Sequence, residues 1–309
     1  MSYCLQAGVA ELDITPGVGT RLAAELSPRV SHGVEMPLLA KALVLSDGDQ
    51  VMAIVTLDVF GLAPDVADSL SSAITDLTGI DSDAVMVVCS RTRGGPYTTA
   101  VVGWTEVNEG YLAELVGKVP GVVAEAQAGM QSAAVGVGKA YLPHLVFNHR
   151  LMTRNMKAVS AWLDVPKNEV LAPEGPIDPD FGVIVVRGKS GCPISILWNF
   201  AADNRFGTGD QISSGLSGHV QREVDERLGT HVPCLYIPGC GGNVSFTHRL
   251  EKTTDAVASG VVAVILETPC DPSMQLAVSN ELVILPVRDF SKFWSEADVQ
   301  LKAPTAVDA

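Results

Sequence analysis

Hydrophobic and polar residues follow two patterns along this chain, and each pattern favours a different secondary structure. Residues 7–14 alternate as a half-buried strand does, and the continuous apolar run at 84–88 indicates a buried strand. Apolar residues at helical spacing predict amphipathic helices between the strands. In chain order, the pattern predicts strands at 7–14, 51–58, 84–88, 134–140 and 281–287, and helices at 63–79, 109–131, 218–228 and 253–267.

Strands interspersed with helices predict an α/β fold, here one of mixed sheets covered by helices. The chain has 309 residues, of which 47% are hydrophobic, so it has enough apolar side chains for a sizeable core. We expect a single domain at residues 1–301 and a disordered tail at residues 302–309.

The charge of the chain limits the partners that we expect. The formal net charge is −14, and nucleic acids and anionic membranes both need a basic protein surface, so neither is an expected partner. The N-terminus lacks a basic segment followed by an apolar run, and no apolar stretch reaches transmembrane length. We therefore expect a cytoplasmic protein, and a homodimer is the oligomeric state that we consider.

Two arginines follow the apolar run at 84–88. Arg91 and Arg93 lie directly after it, and the Gly-Gly-Pro sequence at 94–96 turns the chain. Ligands often bind at the carboxyl ends of strands in α/β sheets. On an extended chain, residues two apart point the same way, so we expect both guanidinium groups to face one site.

Several motifs resemble, in the same order, segments of the neutral/alkaline (non-lysosomal) ceramidase family. Ser-Arg-Thr-Arg-Gly-Gly-Pro at 90–96 is similar to the family's Thr-His-Thr-His-Ser-Gly-Pro. The resemblance implies the fold of the family's catalytic domain, and we expect no C-terminal immunoglobulin-like domain. Further similar segments lie at residues 7–16, 33–45, 51–58, 148–150, 177–186, 193–203, 212–218 and 239–245.

The resemblance implies a zinc site, but the residues that match its ligands have changed. The two histidines of the first motif are Arg91 and Arg93, and the zinc-binding histidine near the end of the 193–203 segment is Asp203. A guanidinium group stays protonated and has no lone pair for zinc. The sequence therefore predicts no metal at this place and no other cofactor.

Arginines in place of a metal ion keep positive charge at the site. Arginine binds carboxylates and phosphates bidentately, so the sequence predicts a small anionic substrate. The alternative is an internal salt bridge between Arg91 and Asp203. The candidate substrate-binding residues are Arg91, Arg93, Arg205, Asn243 and Tyr97.

Ser245 follows a glycine-rich loop and matches the serine proposed as nucleophile in the family. A nucleophilic serine needs a base, and His248 is close to it in sequence. Asp203 and Glu35 are the other candidates for proton transfer; Glu35 stands where the family has histidine. A loop serine that only stabilises a turn is the alternative.

The favoured hypothesis is a divergent, metal-independent member of the ceramidase superfamily. It would act on a small anionic molecule by hydrolysis, cyclisation, elimination or proton transfer. The second hypothesis is a non-catalytic pseudoenzyme that binds a metabolite or a protein partner. The third is a zinc-dependent amidase with a rearranged site.

Overall fold

The protein is described from a computed structural model that covers residues 5–23, 29–100, 106–163, 165–204, 206, 209–286 and 289. The predicted tail at 302–309 lies outside the described residues. Four α-helices lie within them, close to the predicted positions. They are α1 Pro64–Thr78, α2 Glu109–Ala128, α3 Leu216–Leu228 and α4 Leu250–Glu267.

One large sheet of eight strands organises the molecule, in the order β16-β14-β13-β8-β1-β5-β6-β7. A three-stranded sheet, β11-β10-β12, and the pairs β15-β4, β17-β9 and β2-β3 surround it. The strands are β1 Gln6–Asp13, β2 Arg21–Leu22, β3 Arg29–Val30, β4 Gly33–Val34, β5 Leu39–Ser46, β6 Val51–Leu57, β7 Val85–Cys89, β8 Gln131–Tyr141, β9 Val146–Asn148, β10 Arg150–Thr153, β11 Ala158–Ser160, β12 Val170–Pro173, β13 Asp180–Gly188, β14 Pro193–Phe200, β15 Gln211–Ile212, β16 Cys234–Pro238 and β17 Val244–Phe246.

The two halves of the large sheet repeat the same order of elements. In the first half, β5 pairs antiparallel with both β1 and β6, and β7 joins parallel to β6 after α1. In the second half, β8, β13 and β14 form the same antiparallel series, and β16 joins parallel to β14 after α3. The halves meet where Gln6 and Ala7 of β1 pair with Ser132 and Gln131 of β8.

Three clusters of buried apolar residues divide the molecule into layers. One cluster packs α1 and α2 on the first half of the sheet, and a second packs α3 and α4 on the other half. The third joins residues of both halves, including Leu43 of β5, Leu197 of β14 and Leu235 of β16. Helices therefore cover a mixed sheet, which confirms the predicted α/β fold class. Burying each such leucine contributes about 1.5–3 kcal/mol.

Two predictions about individual strands are wrong. Residues 281–286 of the predicted last strand form no strand, and Leu282 and Ile284 are 88% and 85% exposed. A short apolar run becomes a strand only where a neighbouring strand pairs with it, and the sequence alone does not show that partner. The strand at 85–89 exists, but it is an edge strand, and Met86 on it is exposed.

None of the helices in the described part of the chain combines the length and the apolar character that crossing a lipid bilayer would need.

Candidate functional site

The loops that follow β7 and β14 meet at the start of α3. The Thr92 hydroxyl donates to the Ser213 carbonyl across 2.6 Å, and the Asn204 amide donates to the Ser90 carbonyl across 3.1 Å. The Asn204 Oδ1 atom also accepts from the Leu216 N–H, which is at the first turn of α3. These bonds fix the loop that carries the two arginines against the loop that carries Asp203.

Arg93 and Asp203 form an ion pair where these loops meet. The Nη2 atom of Arg93 donates to Oδ2 of Asp203 across 3.1 Å, and the side chains are 17% and 10% exposed. A second arginine supports the loop, since Arg29 Nη2 donates to the Arg93 carbonyl at 3.4 Å. The salt bridge that we considered for Arg91 is thus made by Arg93.

Arg91 does not lie on an extended backbone, so the sequence argument that both guanidinium groups face one way does not apply to it. Its backbone is left-handed, with φ of 61°, which breaks the extended geometry that the expectation assumed. The exposed side chain places its guanidinium carbon 5.6 Å from the centre of the Phe60 ring. Burial raises the pKa of Tyr236, and the Asp203 carboxylate raises it further. The positive charge of Arg91 opposes this rise in the pKa, so both charges lie near the phenol.

Ser245 is hydrogen-bonded to the histidine that directly follows the other strand of its two-stranded sheet. Its Oγ atom lies 3.0 Å from Nδ1 of His149, and the serine is 5% exposed. The contact forms because β17 pairs with β9, which places Ser245 opposite Phe147, two residues before the histidine. The backbone N–H of His149 also donates to the Asn243 carbonyl across 2.9 Å. Strand pairing and this bond hold both residues together.

An aromatic residue packs against the histidine. The rings of His149 and Trp162 have centroids 5.0 Å apart and are tilted by 45°. The backbone reinforces this contact, because Ala161 N–H donates to the His149 carbonyl across 2.7 Å. Trp162 therefore limits the orientations that the imidazole can adopt.

A cavity of about 210 Å³ joins these groups. The aromatic part of its wall includes Phe206 and Phe246, whose rings lie 5.4 Å apart. The structure thus brings Ser245, Asp203 and His248 of the predicted site to one place, and the Arg93 ion pair borders it. The cavity is lined by Trp162, Asp203, Phe206, Ser245, Phe246 and His248.

Glu35, Tyr97 and Asn243 of the predicted site do not line this cavity. Glu35 is exposed and lies beside α3, with Oε1 3.8 Å from Nε2 of His219. Tyr97 is buried and lines a separate cleft of about 420 Å³ with Arg21 and other residues. Asn243 contributes its carbonyl to His149. Arg205 lies outside the described residues.

Sequence reasoning missed His149 and Trp162. His149 stands in the segment 148–150, where the resembling family has Asn-Arg-Arg, so the change from arginine to histidine was the available signal. Its value depended on the pairing of β9 with β17, and 96 positions separate His149 from Ser245. Trp162 carries no motif at all, so only the fold reveals its place.

The sequence matches no protein-family model and no curated protein significantly. Among solved structures, it is similar to a neutral ceramidase from Pseudomonas aeruginosa, with a TM-score of 0.69 and 15% identity over 87% of this chain and 45% of that one. The fold is ceramidase-like. A ceramidase complexed with C2 gives the same TM-score and identity, over 86% of this chain and 44% of the other. The chain therefore spans less than half the length of these proteins, and at this identity the likeness shows the fold alone.

Proposed function

We propose that this protein is a metal-independent hydrolase that uses Ser245 as nucleophile and His149 as general base. The observation that carries the proposal is the 3.0 Å separation of Ser245 Oγ from His149 Nδ1. A base within hydrogen-bond reach of a hydroxyl is the arrangement that nucleophilic catalysis requires. The pair lies beside a cavity that a small substrate can enter.

The proposed reaction is acyl transfer to water in two steps. Ser245 Oγ bonds to the carbonyl carbon of an ester or amide while its proton moves to His149 Nδ1. The leaving group then departs with that proton, which leaves an acyl-serine. Water attacks the acyl-serine, His149 takes a proton from the water, and the serine oxygen recovers it. The net change is hydrolysis, without any oxidant or reductant.

The backbone before Ser245 offers donors for the oxyanion of this reaction. Residues 241–244 form a turn in which the Val244 N–H donates to the Gly241 carbonyl across 3.1 Å. The N–H groups of Gly242 and Asn243 have no hydrogen-bond acceptor among the described residues. Amide donors beside a nucleophile are the usual partners of an oxyanion, and each contributes roughly 10²–10³-fold in rate.

The chemistry of the matched zinc positions supports a mechanism without the metal. Zinc needs three or four donors that converge at about 2.0–2.3 Å. Arg91 and Arg93 have no lone pair to give to zinc. Asp203 Oδ2 is already hydrogen-bonded to Arg93. A rearranged zinc site would have to draw on the remaining candidates Glu35, Asp203 and His248, but Glu35 does not line the cavity that the other two share. These residues do not fit a zinc site.

We further propose that the substrate is small and carries a negative charge. Arg93 is engaged by Asp203, so Arg91 is the residue we assign to binding the anion. Arg91 is an exposed residue on the same loop as Arg93, which binds the Asp203 of the cavity lining. Arg91→Ala is expected to raise KM for an anionic ester while leaving KM for a neutral ester of the same acid unchanged.

A non-catalytic binding protein is the second candidate function. The observation that favours it is the Arg93–Asp203 ion pair itself, because the pair fills ancestral metal positions with groups that neutralise each other. This candidate keeps the cavity but assigns no chemistry to Ser245. It predicts ligand binding that Ser245→Ala does not change.

Covalent labelling tests the two candidates. The protein is treated with a small fluorophosphonate, and the adduct is located by peptide mass spectrometry. We expect one adduct, on Ser245, and a rate of labelling at least about 100-fold lower in His149→Ala, as loss of a general base implies. Ser217→Ala, which removes another buried serine, should still be labelled, and 1,10-phenanthroline should not slow hydrolysis of an ester panel. An unlabelled Ser245 together with an inert panel would refute the hydrolase.

A further inference from the structure

We propose that the cavity beside Ser245 selects a small, uncharged aromatic acyl group and holds it against Trp162. This inference rests on the proposed function, because it names the part of the substrate that Ser245 would carry. It assigns Trp162 as a specificity-determining residue.

The volume of the cavity sets the size of the group. Pockets that enclose drug-sized ligands measure about 300–1,000 Å³. The cavity at Ser245 is smaller, at about 210 Å³, so its volume suits a group of the size of one ring better than a long alkyl chain. Residues of the rim such as His248 are exposed, which leaves an open side for the leaving group.

The walls of the cavity determine the chemistry of the group. Of the six described residues that line it, three are aromatic: Trp162, Phe206 and Phe246. Their quadrupoles favour offset or edge-to-face contact with another ring over contact with a saturated chain. The rings of Phe206 and Phe246 pack on each other, with their centroids 5.4 Å apart, and so form a fixed surface.

The charges at the cavity disfavour a charged acyl group. Among the described residues that line the cavity, Asp203 is the acidic one, and Arg93 Nη2 holds its Oδ2 at 3.1 Å. A carboxylate on the acyl group would meet Asp203, and an ammonium group would have to compete with Arg93 for it. A neutral group meets neither obstacle, so any negative charge of the substrate belongs to its leaving group.

Trp162 is suited to contact the ligand because it packs on His149 and also lines the cavity. Its ring packs on His149 at 5.0 Å, yet the residue is 53% exposed and lines the cavity. An indole held in this way can pack against an aromatic group without first losing side-chain freedom. It also places the acyl group next to the base.

Boronic acids test this inference, because they bond reversibly to a nucleophilic serine and carry a chosen side group. We would measure the affinities of phenylboronic, methylboronic and n-octylboronic acid for the full chain by calorimetry. Phenylboronic acid is expected to bind at least about tenfold more tightly than the other two. Trp162→Ala should remove the preference for phenylboronic acid and change the affinity for methylboronic acid by no more than about twofold. Trp162→Phe should keep the preference.

Leu163→Ala provides the matched control, because Leu163 is the exposed neighbour of Trp162 and does not line the cavity. It should leave all three affinities unchanged. If methyl and octyl compounds bind as well as phenyl, the aromatic preference is refuted while the nucleophile stands. If no boronic acid binds, the nucleophile is refuted; benzoate binding that Trp162→Ala abolishes would then still support an aromatic site. If Trp162→Ala weakens the binding of methylboronic acid as much as that of phenylboronic acid, the role of Trp162 is to position His149.

Discussion

The Oγ atom of Ser245 lies 3.0 Å from Nδ1 of His149 and lines the same cavity as Asp203, which binds Arg93. The serine is buried at 5% exposure, so its hydroxyl bonds to the imidazole in a setting where a hydrogen bond is stronger than in water. The histidine is in turn held by its backbone bond to Asn243 and by Trp162. The groups that we propose as nucleophile and base therefore lie together with two contacts that hold the base.

The first prediction separates the two histidines near Ser245. His149→Ala should lower kcat for ester hydrolysis by about 10²–10⁴-fold, because it removes the base within reach of the serine. His248→Ala should change kcat by less than about threefold, since His248 lines the cavity without a hydrogen bond to Ser245. Steady-state kinetics on both variants measure this. A larger loss in His248→Ala would return the role of base to His248.

The second prediction concerns the ion pair. Asp203→Ala should lower the free energy of unfolding by about 1–3 kcal/mol, because it removes a carboxylate partner from a mostly buried guanidinium group. Adding Arg93→Ala should recover part of the loss, with a coupling energy of about 0.5–3 kcal/mol in a double-mutant cycle. Urea denaturation measures both values.

The exposed pair of Lys139 and Asp180 is the control for the second prediction. Its side chains are 73% and 52% exposed, so Lys139→Ala should cost less than about 1 kcal/mol. If the Arg93–Asp203 cycle gives no more coupling than this pair, the contact between the two loops contributes nothing measurable to stability.

The third prediction compares two adjacent glycines in the loop before Ser245. A Cβ atom on Gly241 would lie 2.5 Å from the carbonyl carbon of Ala202, whereas one on Gly242 would meet nothing within 4 Å. Gly241→Ala should therefore destabilise the protein by about 1–3 kcal/mol, the usual cost of overpacking, and slow the labelling of Ser245. Gly242→Ala should leave stability within about 0.5 kcal/mol. Equal effects of the two substitutions would contradict the close packing of this loop on Ala202.

The fourth prediction concerns pH. Burial lowers the pKa of His231, but its hydrogen bonds to Asp225 at 2.7 Å and Glu11 at 2.9 Å outweigh this effect and raise the pKa. A raised pKa in the folded state means that the imidazolium stabilises the fold fully below the unfolded pKa of about 6.5. That stability is lost as pH rises through the folded pKa. The gap in melting temperature between wild type and His231→Gln should therefore narrow from pH 5.5 to pH 9.

His219 provides a contrast of opposite sign for the pH experiment. Burial lowers its pKa, Arg222 adds to the effect, and Glu35 opposes it. The fold then favours the neutral ring, so wild type should lose stability relative to His219→Gln as pH falls below about 6.5. Melting curves from pH 8 to pH 5 would show it. Parallel slopes for the two histidine variants would contradict the opposite pKa shifts.

Local sequence patterns were sufficient for the elements that carry a period or a motif. The helices and the strand that leads to Arg91 follow from apolar spacing, and Ser245 and Asp203 follow from the resemblance. The direction of Arg91 did not follow, because it depends on one left-handed residue that no pattern marks. The partner of Ser245 did not follow either, because strand pairing between distant segments is a property of the whole fold.

Asp58 and Asp203 occupy corresponding places in the two repeated halves of the sheet. Each lies just beyond the strand that precedes a helix, one after β6 and the other after β14, and each is bound by the opposite half. Asp58 accepts from Ser217 of α3 at 2.7 Å, and Asp203 accepts from Arg93 of the loop after β7. Contacts exchanged in this reciprocal way are those that a two-fold symmetric pair would make. Each half of the sheet therefore supplies a partner for the aspartate of the other half; both aspartates are buried, and Asp203 also lines the cavity.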